Sequence, residues 1–507
     1  MDIGFWVRRT AAVTPQLVAV RSSTGARTYR ELDERSTRLT NALQGLGLER
    51  GARVLVLLEN RLEYPEIDLG IVAGGFVRVA LNARLSSHDF AIVAADSGAR
   101  AIVSEPQFDE AAAEVAAAFD LVWIRLGDDR PEAAVVPYEA FLSSASTRRP
   151  DVLPRGDETA WISYTSGTTG RPKGVVLTHN AITEVARNLL IGLGPVAPGD
   201  GILLPQPVSH GAGYFILPYL ARGGTVRLMQ KFDSQELSHI ATSEHVTTLK
   251  CVPDMLNSMV AEGVSAPFET IIYGAAPIAP PQLAAALDAF GPVLTQIYGQ
   301  SEAPATLTIL GKADHARPGP HRASAGRPWP FVAARIVDES GQDVQLGTTG
   351  ELIISSGHQM TGYHGREDLT REVLRDGWIW TRDMAIQDDE GYIHLQGRRD
   401  DMINSGGFNI APREVENVLS EHHSVGEVAV VGMPDERWGQ AVTAFVVTKN
   451  GAILGEGDLD DFGKPLLGYR RPRHVLFIEE LPRNAYGKVD VVALKKIYAD
   501  RNVHVDS

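Results

Sequence analysis

Apolar and polar positions follow two rhythms through the first part of the chain. Across residues 29–46, Leu32, Leu39, Leu43 and Leu46 recur near helical spacing. This predicts an amphipathic helix, with Gly47 and Gly51 punctuating its end. The run VLVLL at 54–58 is short and wholly apolar, as a buried strand requires. Residues 64–76 again read as a helix, and 77–81 return as a strand. The same alternation continues through apolar segments at 101–103, 121–124, 203, 225–228 and 270–272. It predicts an α/β fold, with helices packed on a largely parallel sheet.

A second organisation begins near Gly326. Residues 334–337, 350–354 and 392–395 read as strands joined by turns rich in Gly and Asp. A polar stretch, Arg398-Arg399-Asp400-Asp401, then separates this part from a compact αβ pattern. There Pro412 stands at a first-turn position, with Val415, Val418 and Leu419 on one helix face. Residues 428–431 and 442–447 read as further strands. The expected organisation is a large multi-sheet N-terminal domain over 1–396, a connector at 397–401 and a small α+β domain over 402–507. No internal repeat of 20–50 residues and no low-complexity tract is read.

The chain has 507 residues, 44% of them hydrophobic and 22% charged. These values are near a globular average and exclude disordered and collagen-like chains. The length alone allows roughly two to four domains. The net charge is −15, which disfavours general binding to nucleic acid or anionic membrane. Cys251 is the single cysteine, so internal disulfides, thiolate zinc clusters and a CxxC redox pair are excluded. A small buried apolar role suits it better than that of a nucleophile. The lack of disulfides fits a reducing cytoplasm. Neither a signal peptide nor an apolar run of membrane-spanning length is read.

The most informative segment is Tyr164-Thr-Ser-Gly-Thr-Thr-Gly-Arg-Pro-Lys-Gly174. Thr165, Ser166, Gly167, Thr168, Thr169 and Gly170 supply hydroxyls and flexible backbone N–H groups able to close around a polyanion, and Lys173 adds a positive charge. A polar surface loop would share this composition, and the Walker A register is absent. Further on stand Gly274-Ala275-Ala276-Pro277, Tyr298-Gly299-Gln300-Ser301-Glu302, Thr381-Arg382-Asp383, Gly397-Arg-Arg-Asp-Asp401 and Pro482-Arg-Asn-Ala-Tyr-Gly-Lys488.

Together, and in this order, the segments resemble the adenylate-forming superfamily, in particular its acyl-CoA and aryl-CoA synthetases. The resemblance covers almost the whole chain. It implies that residues 165–170 and Lys173 wrap the ATP phosphates. Gly274–Pro277, Gly299, Gln300 and Ser301 would border the adenine, with the Tyr298 ring stacked on it. Glu302 would hold Mg²⁺, Asp383 would take the ribose hydroxyls, and Arg398 would lie near the ribose and phosphate. Asp400 would be the hinge of a mobile C-terminal domain that delivers Lys488 to the α-phosphate. Gly406 and Gly407 would line the pantetheine path, and Trp438 would stack on the adenine of CoA or simply pack on the surface. Ser301 falls one residue short of a hydrolase G-x-S-x-G elbow, and that reading is set aside. Arg382, where the family often has glycine, and Tyr486, where it has a small residue, are departures.

His210 aligns with an aromatic gate beside the carboxylate channel. Gly211 follows it where amino-acid-activating relatives place Asp. A buried ammonium without that counter-charge would be costly, so an α-amino acid is disfavoured. Gly299 stands where acetate-activating relatives carry Trp, which implies open space for a medium-sized or ring-containing acid. Tyr214 and Tyr273 are expected as aromatic walls. The implied activity is ATP-dependent ligation of a carboxylic acid to coenzyme A through an acyl-adenylate. The alternatives are an acyl-AMP ligase that loads a carrier protein, a non-catalytic nucleotide-binding scaffold and, more remotely, a luciferase-like oxygenase. A homodimer is common in the family.

Overall fold

The computed structural model describes residues 2–127, 135–151, 153–165, 172–449, 452–484 and 489–502. Its core is built on two large sheets. The strand order of the nine-stranded sheet is Arg327–Pro328, Ala303–Leu310, Leu294–Gln300, Thr270–Gly274, Val246–Cys251, Gly201–Leu204, Thr225–Leu228, Val18–Ser22 and Gly25–Thr28. Its six consecutive strands from Leu294–Gln300 to Val18–Ser22 are parallel. In the eight-stranded sheet the strands from Thr159–Thr165 through Val77–Ala80, Arg53–Leu57, Ala101–Ser104 and Val122–Arg125 to Val135–Pro137 are also parallel.

Strand alternation explains the layering. Val54, Val56, Ala101 and Val103 of one sheet share a core with Ile202, Leu204, Val226 and Ile272 of the other. Helices Ile3–Val13, Tyr29–Gly45, Tyr64–Ala73, His179–Gly192 and Ile216–Arg222 contribute to that central core. The intervening residues Leu55, Leu57 and Ile102 bury against helices Ser87–Ser97 and Asp109–Phe119. Leu203, Leu249, Ile271 and Tyr273 do the same against Ser234–Ser243, Pro253–Ala261 and Pro280–Phe290. The result is five layers, helix–sheet–helix–sheet–helix. Parallel strands covered on both faces read as unbroken apolar runs for this reason.

Local signals set the element ends. Thr28 and Glu31 form a capping box at the start of Tyr29–Gly45, and Leu32, Leu39 and Leu43 are fully buried along one face. The helix expected over 64–76 stops at Ala73, because Gly74 and Gly75 follow and Gly75 has φ +77°. Helix Ile3–Val13 lacked a sequence expectation; Asp2 caps it by accepting from Phe5 N at 3.0 Å.

A third, five-stranded antiparallel sheet holds Val332–Val337, Gly350–Ser356, Leu374–Arg375, Trp378–Gln387 and Ile393–Arg398. The turn Arg399–Asp401 follows, and the fourth sheet opens at Ile403. That sheet buries Val430, Val442 and Val446 beneath helices Pro412–Ser420 and Glu456–Leu467. Its other face buries Ala429, Val431 and Phe445 against helix Val491–Asn502. Among the described residues, no helix is long and apolar enough to cross a membrane. Cys251 is buried, and burial pushes its thiol up to about 12, in keeping with an inert side chain.

Two internal histidines generate a pH prediction. His179 and His358 are fully buried, and burial pushes each imidazole down to about 4. In the unfolded chain each binds its proton near 6.5, so the stability present above that pH is lost as pH falls towards 4. Each contributes on the order of 2–3 kcal/mol to that loss. Urea unfolding at pH 7 and pH 4.5 should show the fall, and His358→Gln should make it shallower. An unchanged fall in the variant would contradict this assignment.

Candidate functional site

Parallel strands deliver their carboxyl ends to one edge of a sheet, where ligands of α/β proteins are held. Here the strands ending at Leu204, Gly274 and Gln300 lead into the segments around His210, Ala275–Pro277 and Ser301–Glu302, and the strand between the first two ends at Cys251. Gly274 packs too tightly against the Ile297 carbonyl to tolerate a Cβ, and Ala275 takes a left-handed φ of +70°. Ala275 and Pro277 are exposed beside this edge and Ala276 is half-buried. Gln300 Nε2 is buried and has no hydrogen-bond partner among the described residues, which leaves one donor for a ligand.

Asp383 joins the first and third sheets. One carboxylate oxygen accepts the Tyr298 hydroxyl, and the other lies 2.9 Å from Arg398 Nε. Asp383 and Arg398 are cross-strand neighbours in the antiparallel pair Trp378–Gln387 and Ile393–Arg398, so register alone brings the two charges together. Thr381 Oγ1 donates to Leu352 O at 2.6 Å and accepts from Asp383 N at 3.1 Å, which orients the loop. Burial, then the neighbouring Asp383 charge, holds the Tyr298 phenol well above its ordinary value, so it stays a donor.

A second cluster stands at the stem of the Ser/Thr/Gly segment. Thr165 and Lys173 pair across the antiparallel strands Thr159–Thr165 and Lys173–Thr178. Ser166, Gly167, Thr168, Thr169 and Gly170 lie outside the described residues, as does Lys488. Strand Gly362–Tyr363 adds to the edge of this hairpin, and the Tyr363 hydroxyl donates to Glu302 Oε1 at 2.7 Å. Lys173 Nζ lies 5.7 Å from the Tyr363 ring centroid. Among the described residues, no group of three or more His, Cys, Asp or Glu side chains gathers into a metal cage. Glu302 alone suits an ion such as Mg²⁺, which takes one or two carboxylates and completes its shell with phosphate and water.

Arg382 has φ +61°, the left-handed conformation in which glycine would be unstrained. Its N–H donates to Glu351 Oε1 at 2.9 Å, and its guanidinium lies 3.6 Å from Asp400. Glu351 also takes Arg399 Nη1 at 3.0 Å, so one carboxylate fastens both ends of this junction.

His210 opens the short helix Gly211–Phe215, and its Nδ1 lies 2.8 Å from Ser209 Oγ. Burial first, then the charge of Arg78, pushes its imidazole down to about 4, so it is neutral near pH 7. A Cβ placed at Gly211 would meet nothing within 4 Å, so there is room beside His210. Tyr214, expected as an aromatic wall, is buried against Trp161 at 5.0 Å between ring centroids.

Two sequence expectations require correction. Tyr273 is fully buried on the opposite face of its strand from Ile272, and its hydroxyl meets Gln296 Oε1 and His315 Nε2, each at 2.9 Å. It is a satisfied core residue of the outer helix layer, not a pocket wall. Gly299 does not border open space, because a Cβ there would come within 2.8 Å of Ala305 Cα and 3.0 Å of Ala305 C. The glycine permits close approach of two backbones and cannot be read as a gauge of pocket depth.

In the fourth sheet region, Gly406 and Gly407 have φ of +61° and +85°, and Gly406 N donates to Trp438 O at 2.8 Å. The half-buried Trp438 ring lies 4.8 Å from both the Arg437 and the Arg473 guanidinium carbons. Sequence reasoning missed Tyr363, because a two-residue strand leaves no periodic signal. It also passed over Arg78, whose charge inside the apolar run at 77–81 was a usable clue. Arg78 is buried, 3.1 Å from Asp68, 4.2 Å from the Trp161 ring centroid and 3.1 Å from Val208 O near His210.

Comparison with known proteins gives a consistent result. Residues 7–364 match the AMP-binding enzyme family, and residues 414–488 match the AMP-binding enzyme C-terminal domain. A feruloyl-CoA synthase from an Amycolatopsis species is 36% identical over 496 residues, 96% of this chain and 97% of the relative. A fatty acid–[acyl-carrier-protein] ligase, ScoC, from Streptomyces coeruleorubidus is 34% identical, with 91% of this chain and 90% of the relative covered. Among solved structures, the o-succinylbenzoate CoA synthetase MenE of Bacillus subtilis, in complex with the acyl-adenylate intermediate OSB-AMP, is similar with a TM-score of 0.86. It is 28% identical, and 97% of each chain is covered.

The contact at Gly299 yields a test. Gly299→Ala should lower unfolding stability by roughly 1–3 kcal/mol, the usual cost of forcing atoms into a packed site. Activity on large and small acids should fall together. Denaturant unfolding and a two-acid comparison check this, and selective loss of the larger acid would restore the pocket-depth reading.

Proposed function

The chain belongs to the AMP-binding enzyme family, and we propose on that premise how its residues divide the work of an AMP-forming acid–thiol ligase. The reaction joins a carboxylic acid to coenzyme A in two steps. A carboxylate oxygen attacks the α-phosphorus of ATP, and pyrophosphate leaves with the electron pair of the broken P–O bond. The CoA thiolate then attacks the acyl carbon, and AMP leaves. The observation that carries this reading is the placement of Asp383 between Tyr298 and Arg398, beside the Glu302–Tyr363 pair and the antiparallel strands that flank the Ser/Thr/Gly segment.

Each residue then has a role set by its surroundings. Asp383, an acceptor with two oxygens held between Tyr298 and Arg398, takes the ribose hydroxyls. The Tyr298 ring, with Gly274–Pro277 and Gln300, borders the adenine. Thr165 to Gly170 and Lys173 wrap the phosphates. Glu302, oriented by Tyr363, would hold Mg²⁺, which offsets phosphate charge when bound. Neutral His210 faces the reacting carboxylate across the space at Gly211. Lys488 offsets charge that develops at the α-phosphate.

The domains divide at residues 397–401 and pivot at Asp400. The salt links from Arg382 and from Glu351 to this turn favour one arrangement over its rotated form. Gly406 and Gly407 line the pantetheine path, and Trp438 with Arg437 and Arg473 offers a cationic aromatic platform for the nucleotide end of CoA. We assign the acid as medium-sized or ring-containing; the support is the Trp161–Tyr214 wall and the feruloyl-CoA synthase relative. A reducing cytoplasm is the proposed compartment. The carrier-protein ligase relative favours one second reading, transfer to a phosphopantetheine arm in place of CoA.

Lys488→Ala separates the half-reactions. It should reduce acid-dependent pyrophosphate release by roughly a hundredfold or more, while thioester formation from supplied acyl-adenylate stays within a few-fold. Equal loss in both steps would contradict the assignment. Running wild type with CoA and with a phosphopantetheinylated carrier protein decides the acceptor.

A further inference from the structure

Lys250 is a buried cation that none of the roles above uses. It lies on strand Val246–Cys251, one residue before the strand's carboxyl end, and is 4% exposed. Its cross-strand neighbour is Ile272, which shares the central core with Tyr214 and Trp161. Lys250 therefore projects to the His210–Tyr214 face, whereas Cys251 and Tyr273 belong to the outer layer.

Its ammonium is only partly satisfied. Nζ donates to Gln206 Oε1 at 3.1 Å and to Cys251 O at 2.8 Å, and lies 5.8 Å from the Phe215 ring centroid. All of these partners are neutral. Among the described residues, no Asp or Glu pairs with it, and burial pushes the amine down to about 8. Arg78, buried in the same core, shows the contrast, since the fold supplies it with Asp68 at 3.1 Å. An ammonium taken from water without a counter-charge is destabilising and calls for a compensating use.

The neighbours indicate what that use is. Gln206 lies four residues before His210, and Phe215 five residues after it. The segment between is held by Asn60, which donates to Gln206 O at 2.7 Å and accepts from Val208 N at 2.9 Å. Lys250 thus lies beneath the segment that carries His210, on the sheet side of Phe215. We propose that Lys250 is a specificity-determining residue that receives a second carboxylate, at the far end of the acid activated beside His210. The inference rests on the ligase reading and deepens it: the substrate class is a medium-sized dicarboxylic acid. The reacting carboxylate meets His210, the apolar middle crosses Tyr214 and Phe215, and the distal carboxylate supplies the counter-charge that the protein withholds.

The test uses matched acids, suberate against octanoate and 3-carboxyphenylpropanoate against phenylpropanoate, with pyrophosphate release as the readout. Wild type should prefer the dicarboxylic member of a pair by tenfold or more in kcat/KM. Lys250→Met should lower that ratio at least tenfold, and Lys250→Arg should keep its direction. A wild-type preference for the monocarboxylic members, or an unchanged ratio in Lys250→Met, overturns the inference. Pyrophosphate release with any acid leaves the ligase reading standing, so the two can fail separately. Thermal unfolding gives a readout without turnover. Lys250→Met should melt at the wild-type temperature or above it, because an unpaired buried charge is removed. A clear drop would mark the charge as structural and overturn the proposal.

Discussion

The carboxylate of Asp383 accepts the Tyr298 phenol on one oxygen and the Arg398 guanidinium on the other. Tyr298 comes from the end of a parallel strand in the nine-stranded sheet, and Arg398 is the last residue of the third sheet before the turn Arg399–Asp401. Three parts of the chain thus converge on one charge. Any drift in the register of Trp378–Gln387 against Ile393–Arg398 would part Asp383 from Arg398 and leave a buried carboxylate without its counter-ion. The surrounding bonds guard against that drift: Thr381 ties the loop to Leu352, and Glu351 fastens both Arg382 and Arg399.

The same junction explains why an arginine persists at a position that wants glycine. Left-handed backbone at Arg382 is unfavourable for a side chain by roughly 1 kcal/mol or more. The residue is held there by its N–H bond to Glu351, and its guanidinium reaches Asp400 in the turn. The proposed pivot at Asp400 would act on this link, because rotation there would part Arg382 from Asp400.

Much of this was legible in the sequence where local chemistry decides the outcome. Helix Tyr29–Gly45 and strand Thr225–Leu228 follow directly from periodicity, and the order of short motifs announced the family. Legibility failed where three-dimensional neighbours decide. Gly299 looked like vacant space because its backbone neighbour, Ala305, is six residues away and reachable only through a bulged hairpin. Tyr273 looked like a pocket wall because the face of a strand in a five-layer fold depends on which core each neighbour joins. Tyr363 was invisible because only its pairing with Lys173–Thr178 brings it to Glu302. Two charged strand residues, Arg78 inside the apolar run at 77–81 and Lys250 in Val246–Cys251, were visible but silent until their partners were known.

The most direct measurement of the central claim is the affinity of AMP for wild type and for Asp383→Asn by calorimetric titration. Hydrogen bonds to a charged group contribute about 1.5–3 kcal/mol, so replacing the carboxylate should weaken AMP binding roughly tenfold to a hundredfold. The far-ultraviolet spectrum should stay that of a folded chain. Equal affinity in the two proteins would remove Asp383 from the nucleotide site and contradict the account.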